Sequence, residues 1–308
     1  MGVARHALAV TGAVLALGSS AGAQKVPPLS ESIVLEGAPG AEEAWPIPAK
    51  TQVFFRPEDI TMVDVSDGER RGVVAGETIS VSVDELDPRH INGWPAETAH
   101  HHTYEMAYFG LSGTAALYVG GQRSPVGPGM ISVIPPDVPH TITKVMGPGV
   151  VRSLEFSTVR RADLLPERPK VDFPKAAEAK PLPAEFPVFT DFDTIEWVGE
   201  PGKARFTAVF GESCTAFIYN VPASTMDGVE SPGHHHHNEQ ISVVIRGHAD
   251  VRLGDQFQRV GPGTIMFVPP NVDHYGMSPV NGEDLVLLEF QPIVREDMRR
   301  TLAGTSSN

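Results

Sequence analysis

One cysteine, Cys214, is all the sulfhydryl chemistry available to this chain of 308 residues. A lone thiol closes no internal disulfide, so oxidation does not staple the fold. Its expected place is that of a small buried hydrophobe rather than a nucleophile. Long stretches with a helical period of 3.6 are also lacking, which confines helix to short pieces such as Arg160 to Leu165 and Arg295 to Leu302. Positive charge is scarce, with 24 Lys and Arg against 38 Asp and Glu for a formal net charge of −14. A surface of that sign repels nucleic acid and anionic lipid, so neither nucleic acid nor membrane is an expected partner. The acidic residues are dispersed and mark no partner site.

What is present suits a soluble protein with two cored domains, since 41% of the residues are hydrophobic and 20% charged. The start differs from the rest. Arg5 and His6 precede the apolar run Ala7 to Leu17, and Gly18-Ser19-Ser20 leads into Ala21-Gly22-Ala23 before Gln24. A charged start, a short apolar core and a small-x-small site are the features of a cleavable secretory signal, too short to span a bilayer. Residues 1–23 are therefore expected to be a signal peptide cleaved near Ala23, with a periplasmic or secreted mature protein. Gln24 rather than cysteine directly follows the expected cleavage site, so a lipid anchor is not supported.

The dominant signal is an internal repeat. His100, His102, Met106, Gly113, Gly127-Pro128-Gly129, Pro135-Pro136 and His140 return as His234, His236, Gln240, Gly247, Gly261-Pro262-Gly263, Pro269-Pro270 and His274, each displaced by 134 residues. Pro88 with Pro222, and Leu154-Glu155-Phe156 with Leu288-Glu289-Phe290, keep the same offset. Weaker echoes at Val53-Phe54 and Val188-Phe189, one residue out of step, place the start of each copy near 50 and 186. The duplicated unit is a whole domain. The organisation that follows is an arm over 24–49, a first domain over 50–160, a linker rich in Pro, Lys and Ala over 161–186, a second domain over 187–295 and a tail over 296–308.

Within each copy the segments are short, apolar or alternating, and separated by Gly, Pro, Asp and Asn. Thr78 to Val83, Ala107 to Leu111, Ala115 to Val119, Met130 to Ile134 and Val150 to Phe156 are predicted strands, as are Ile241 to Ile245 and Thr264 to Val268. The fold class is all-β, a sandwich or jelly-roll barrel in each half. Strand alternation puts residues of equal parity on one face. His100, His102 and Met106 share a parity, as do His234, His236 and Gln240, so each set can enter its barrel's interior. Glu105 and Glu239 have the opposite parity and are expected to face outward or pair at the rim. His235 and His237 have the same spacing as His234 and His236, but Thr103 stands at the position equivalent to His237, which favours 234 and 236.

His-x-His followed by Gln or Met and then Gly, with Gly-Pro-Gly and Pro-Pro-x-x-x-His further on, resembles the two motifs of the cupin superfamily, and two copies resemble a bicupin. The resemblance spans roughly 50–160 and 186–295 and implies two tandem jelly-roll barrels. Its members include dioxygenases, decarboxylases, isomerases, lyases, storage proteins and regulators, so the fold alone leaves the reaction open. Oligomers are common in the family, which makes a homo-oligomer an admissible partner here.

His234, His236, Gln240 and His274 form a nitrogen-rich set suited to a divalent first-row metal, whether Fe, Mn, Ni, Zn, Co or Cu. Gln is neutral, so a metal keeps its full charge as a Lewis acid, and it cannot act as a general base. Cupins with His-x-His-x3-Gln isomerise, linearise or cleave their substrates, which points to isomerase or lyase chemistry on a small oxygenated substrate. Two other readings stand beside it: a dioxygenase cleaving a phenolic, flavonol or diketone, and a non-catalytic metal or small-ligand binding protein. The second possible metal set is His100, His102, Met106 and His140. A thioether is a soft, weak ligand, and Met106 is expected to fill the barrel beside a bare triad, making the first copy structural or weakly metal-binding.

Glu289 and Tyr275 are the candidate catalytic groups. Glu155 and Glu289 recur at matching places, where a rim or outward position is the ordinary outcome for a carboxylate. Tyr104 and Tyr108 have interior parity. His90, His248, His101 and His235 read as solvated or loop residues.

Overall fold

In a computed structural model the chain is described at residues 33–34, 52–161, 180–182, 186, 188–199, 203–225 and 233–305. The expected signal segment, most of the arm and linker, and residues 162–165 of the short helix anticipated over Arg160 to Leu165 lie outside the described residues, while 160 and 161 are not helical.

Strands account for nearly all regular structure, and those named from the sequence recur with ends shifted by at most three residues, as Ser80–Leu86, Met106–Ser112, Thr114–Val119, Met130–Ile134, Val151–Ser157, Gln240–Arg246 and Ile265–Val268. The helix expected near 295 is present as Glu296–Thr305. Each copy is a jelly-roll of two sheets. The first pairs a seven-stranded sheet with the three-stranded sheet of His140–Met146, Thr114–Val119 and Gln122–Val126. The second pairs a six-stranded sheet with a five-stranded one, in which Ile33–Val34 from the arm lies parallel to His234–His235.

The out-of-step echoes at 53 and 188 mark a strand exchange. Phe54–Phe55 precedes the first copy in sequence but pairs with Ile265–Val268 of the second, while Phe189–Asp191 precedes the second copy and pairs with Met130–Ile134 of the first. Phe54 packs in the second lumen and Val188 in the first, so each barrel is plugged by its neighbour's leading segment. The sequence boundaries at 50 and 187 delimit the repeat units, whereas the barrels in space trade their first strands.

The two large sheets meet on their outer faces. Residues of lumen-opposite parity from both copies, including Val81, Phe109, Phe156, Ile218, Val243 and Phe290, form one buried cluster. At its centre the repeat equivalents Phe156 and Phe290 stack with ring centroids 5.1 Å apart, which places a pseudo-twofold axis between them. Cys214 is buried in the same cluster, as expected of a small hydrophobe.

Glu105 and Glu239 flank that axis. Neither enters a lumen, yet neither reaches solvent, being 0% and 2% exposed. The Glu239 carboxylate accepts the backbone N–H groups of Glu77, Thr78 and Ile79, at 2.7, 2.7 and 3.0 Å. Glu105 reciprocates by accepting those of Glu212 and Ser213, each at 2.7 Å. The rim placement expected from parity is therefore corrected to an interdomain clamp. A buried carboxylate is tolerable only when ringed by donors, and here a turn of the opposite barrel supplies them. Gly76 and Gly211 allow the approach, because a Cβ at either would stand within 2.7 Å of the carboxylate it faces.

Candidate metal centres

Both histidine triads are assembled by the same local geometry. His100 and His140 face each other across an isolated antiparallel bridge, and His234 pairs with His274 in the same way. The Pro-Pro turn brings its backbone to the middle histidine: the Asp137 N–H donates to the His102 carbonyl and the Asn271 N–H to that of His236, both at 2.6 Å. Asp137 and Asn271 sit at φ 63° and 57°, a left-handed conformation that Asp and Asn adopt more readily than other non-glycine residues. The ring nitrogens of His100, His102 and His140 converge within 4.8 Å of one another, and those of His234, His236 and His274 do likewise.

The residues fit a cation. His140 Nδ1–H donates to the Val138 carbonyl and His274 Nδ1–H to the Val272 carbonyl, both at 2.9 Å, which leaves each buried Nε2 as a lone pair with no hydrogen-bond partner. His236 Nδ1–H donates to the Asn238 carbonyl at 2.7 Å, so its Nε2 is also a lone pair, and it faces Gln240 Oε1 at 3.1 Å. Gln240 Nε2 donates to Ser242 Oγ at 3.0 Å, which fixes the amide with its oxygen toward the histidine. Two acceptors in contact repel unless a positive charge lies between them. A divalent ion would take both atoms as ligands and relieve that repulsion. Burial holds the histidines neutral and ready to donate, with His140, His234 and His236 each brought down to about 4. Both triads can hold a divalent metal.

The barrels diverge at the fourth position. Met106 is 2% exposed and packs among Tyr108, Leu117 and Ile134, filling the lumen as anticipated. Gln240 instead belongs to an amide relay: Gln291 Nε2 donates to Gln240 Oε1, and Arg295 Nη1 donates to Gln291 Oε1 at 3.4 Å. In the first copy the equivalents of Gln240, Ser242 and Gln291 are Met106, Tyr108 and Ser157, so the relay is absent as a unit.

Arg295 was not apparent as a site residue from its chemistry, yet it obeys the repeat, with Arg161 as its equivalent. Arg161 N–H donates to Ser80 Oγ at 3.1 Å and Arg295 N–H to Thr215 Oγ1 at 2.9 Å, one anchor in two copies. Arg295 pairs with Asp297, whereas Arg161 lies 3.8 Å from Glu155 and over the Tyr104 ring.

Glu155 and Glu289 both point inward, which corrects the outward placement. Glu289 is 4% exposed, and burial lifts its carboxyl to about 7. Glu155 lines the first lumen, where burial would raise its carboxyl but Arg71 and Arg161 beside it more than offset that penalty and hold it low. Tyr275 lies in the strand His274–Pro279, its side chain outside the described residues. His101 and His235 are buried, not solvated, at 2% and 4% exposure. His235 Nδ1 meets Asp273 Oδ1 at 2.8 Å, and His101 Nδ1 lies 3.7 Å from Asp137 Oδ1, so the histidine between the ligands ties one motif to the other. His90 and His248 are solvent-facing as expected, with side chains 51% and 42% exposed beside Asp67 and Glu283.

The first barrel also opens on a cavity of about 320 Å³ that reaches the triad. Besides the histidines it is lined by Glu69, Arg71, Asp84, Tyr108, Glu155 and Arg161, and by apolar walls that include Trp94 and Leu117. Arg71 pairs with Asp84, and lies 3.4 Å from Glu69 and 3.8 Å from Glu155. Burial pushes Asp84 up to about 6 despite that partner. Glu69, Arg71 and Asp84 have no charged counterparts in the repeat, and only the fold brings them to the triad.

Two jelly-rolls with a histidine triad inside each define a paired-barrel protein built for metal binding. The cupin domain family matches residues 91–155 and 225–290, and the chain belongs to the cupin superfamily as a bicupin. No curated protein matches its sequence. Among solved structures it is similar to the formate complex of oxalate decarboxylase from Lactobacillus farciminis, with a TM-score of 0.59 and 14% identity over 81% of this chain and 89% of that one. A tryptophan-to-tyrosine variant of the Bacillus subtilis oxalate decarboxylase gives 0.57 and 15% identity over 81% and 79%. AerE from Microcystis aeruginosa gives 0.54 and 16% identity over 75% and 96%. At these identities the likeness is one of fold.

Proposed function

We propose that this bicupin is an exported, metal-dependent enzyme of the lyase or isomerase type, acting on a small oxygenated substrate at His234, His236, His274 and Gln240. The observation that carries the proposal is the neutral donor set, in which the Gln240 oxygen and the His236 lone pair face each other at 3.1 Å beside a carboxyl group that titrates near 7. A divalent ion held there supplies Lewis acidity toward a bound carbonyl or hydroxyl. Gln240 adds no charge to offset it and takes no proton. That task falls to Glu289, whose buried carboxyl gives up or accepts a proton near neutral pH, the range in which a general acid and base is most effective. Arg295 holds Gln291, and Gln291 holds the Gln240 oxygen toward the histidines. Similarity to oxalate decarboxylases, lyases on the same two-barrel fold, supports the reaction class. The charged start, apolar core and Ala21-Gly22-Ala23 of the first segment support export.

The test is turnover of a panel of keto, hydroxy and uronic acids by metal-loaded protein, followed by proton NMR. Turnover without oxygen uptake, lowered at least about 100-fold in both His236→Ala and Gln240→Ala, supports the proposal. Stoichiometric oxygen consumption, or full activity in Gln240→Ala that retains its metal, contradicts it.

A further inference from the structure

Two guanidiniums, Arg71 and Arg161, and three carboxylates, Glu69, Asp84 and Glu155, line the first-barrel cavity. Such a concentration of charge inside a barrel is costly and calls for a compensating ligand. With the histidines neutral, the cluster sums to −1. A divalent ion on the triad turns that to +1, the complement of a single negative charge. The cavity also holds a specific donor. Arg71 gives Nε to Asp84 and Nη2 to Glu69, with Glu155 3.8 Å from Nη2, and among the described residues no group takes its Nη1. Three acids fix this guanidinium, so the remaining donor is preorganised. The Nε2 of His140, fully buried and lacking a partner, lines the same space. Most of the remaining wall is apolar, formed by Leu86, Trp94, Met106, Leu117, Ile134 and Ile142, with Thr98, Thr141 and Tyr108 between them. At about 320 Å³ the volume suits a ligand no larger than a substituted ring.

We propose that the first barrel is a second ligand site, which binds a small monocarboxylate with an apolar or aromatic body. Its carboxylate takes up Arg71 Nη1 and the charge of the metal-loaded triad, and its body packs against Trp94 and Leu117. The second barrel cannot offer this site. Repeat equivalence, out of step by one residue in this region, puts Phe206 where Arg71 stands and Tyr219 where Asp84 stands, and both pairs are cross-strand partners. Their rings lie 5.7 Å apart, occupying space that the first barrel leaves to charge.

The experiment is isothermal titration of Co2+-loaded, full-length protein with benzoate and with its neutral isostere benzamide. The expected result is one benzoate per chain, with benzamide at least about tenfold weaker and Arg71→Lys at least about tenfold weaker for benzoate, the scale of one charge-assisted hydrogen bond. Leu117→Trp, which fills the cavity without touching charge, abolishes binding. His236→Ala, which disables the other barrel, retains it. Loss of benzoate binding in His236→Ala with retention in Leu117→Trp overturns the proposal, as does equal affinity for benzamide or the absence of any benzoate heat. This outcome is separate from the second-barrel reading, whose assay depends on His236 and Gln240.

Discussion

The strand pair that carries Arg71 and Asp84 in the first barrel carries Phe206 and Tyr219 in the second, at the same cross-strand register. One scaffold therefore supports a buried ion pair in one copy and an aromatic pair in the other. The fourth position of the histidine site diverges in parallel, with Met106 in the charged barrel and Gln240 in the aromatic one. Backbone pairing, turn geometry and the histidine triad are what the duplication conserves in space. Charge distribution around the triad is what the copies vary. In the first barrel charge lies on the wall, and in the second it is limited to Arg295, paired with Asp297, and a carboxyl that burial keeps near neutrality.

Breaking the ion pair should have the largest effect on stability. Arg71→Met strands buried carboxylates and is expected to cost about 3–5 kcal/mol in urea unfolding. The double change Arg71→Phe with Asp84→Tyr, which installs the pair of the other barrel, should recover more than half of that loss. A double variant no more stable than Arg71→Met would break the equivalence.

The two interdomain clamps, in contrast, should respond alike. Glu105→Gln and Glu239→Gln each weaken a carboxylate that accepts several backbone N–H groups, and each is expected to cost about 2 kcal/mol by the same unfolding measurement. A difference of more than about 1 kcal/mol between them would show that the pseudo-twofold axis does not govern the interface energetics.

Exchanging the fourth position sharpens the contrast at the metal sites. Gln240→Met should weaken the second site for metal by about 10- to 100-fold, read by competition with a chromophoric chelator, and Met106→Gln should strengthen the first. Gln291→Ala, which releases the Gln240 oxygen, should lie between wild type and Gln240→Met. The smallest effect is pH-dependent. Glu289 titrates near 7 when folded and near 4.5 when free, so the folded state holds the extra proton between those values and loses stability as pH rises through them. Glu289→Gln lacks this dependence. Its metal-free form should gain on the order of 1 kcal/mol over wild type at pH 8 and nothing near pH 4.5, by thermal unfolding at the two pH values.

The repeat made much of this legible in the sequence alone. A constant offset identified the triads, and alternation kept Glu105 and Glu239 out of the lumens, because a strand's side-chain period is fixed. Alternation says which face a residue takes but not what covers that face, and so the clamp was missed: the outer face of each large sheet is buried by the other copy. The same gap misplaced His101 and His235, which lie opposite the ligands and are enclosed by Asp137 and Asp273 from the second motif. Strand exchange left a trace in the one-residue slip at Val53 and Val188, but pairing across copies is not encoded in periodicity. Arg161 and Arg295 kept the offset and were open to discovery by it. Arg71 and Asp84 have no chemical echo in the second copy, and only the fold brings them to the triad.

Metal stoichiometry tests the central claim most directly, that each barrel is a working metal site with its own surroundings. Elemental analysis of protein reconstituted with a divalent metal should give two equivalents for wild type and one each for His102→Ala and His236→Ala. A single equivalent in wild type, lost with one substitution and untouched by the other, would contradict the account.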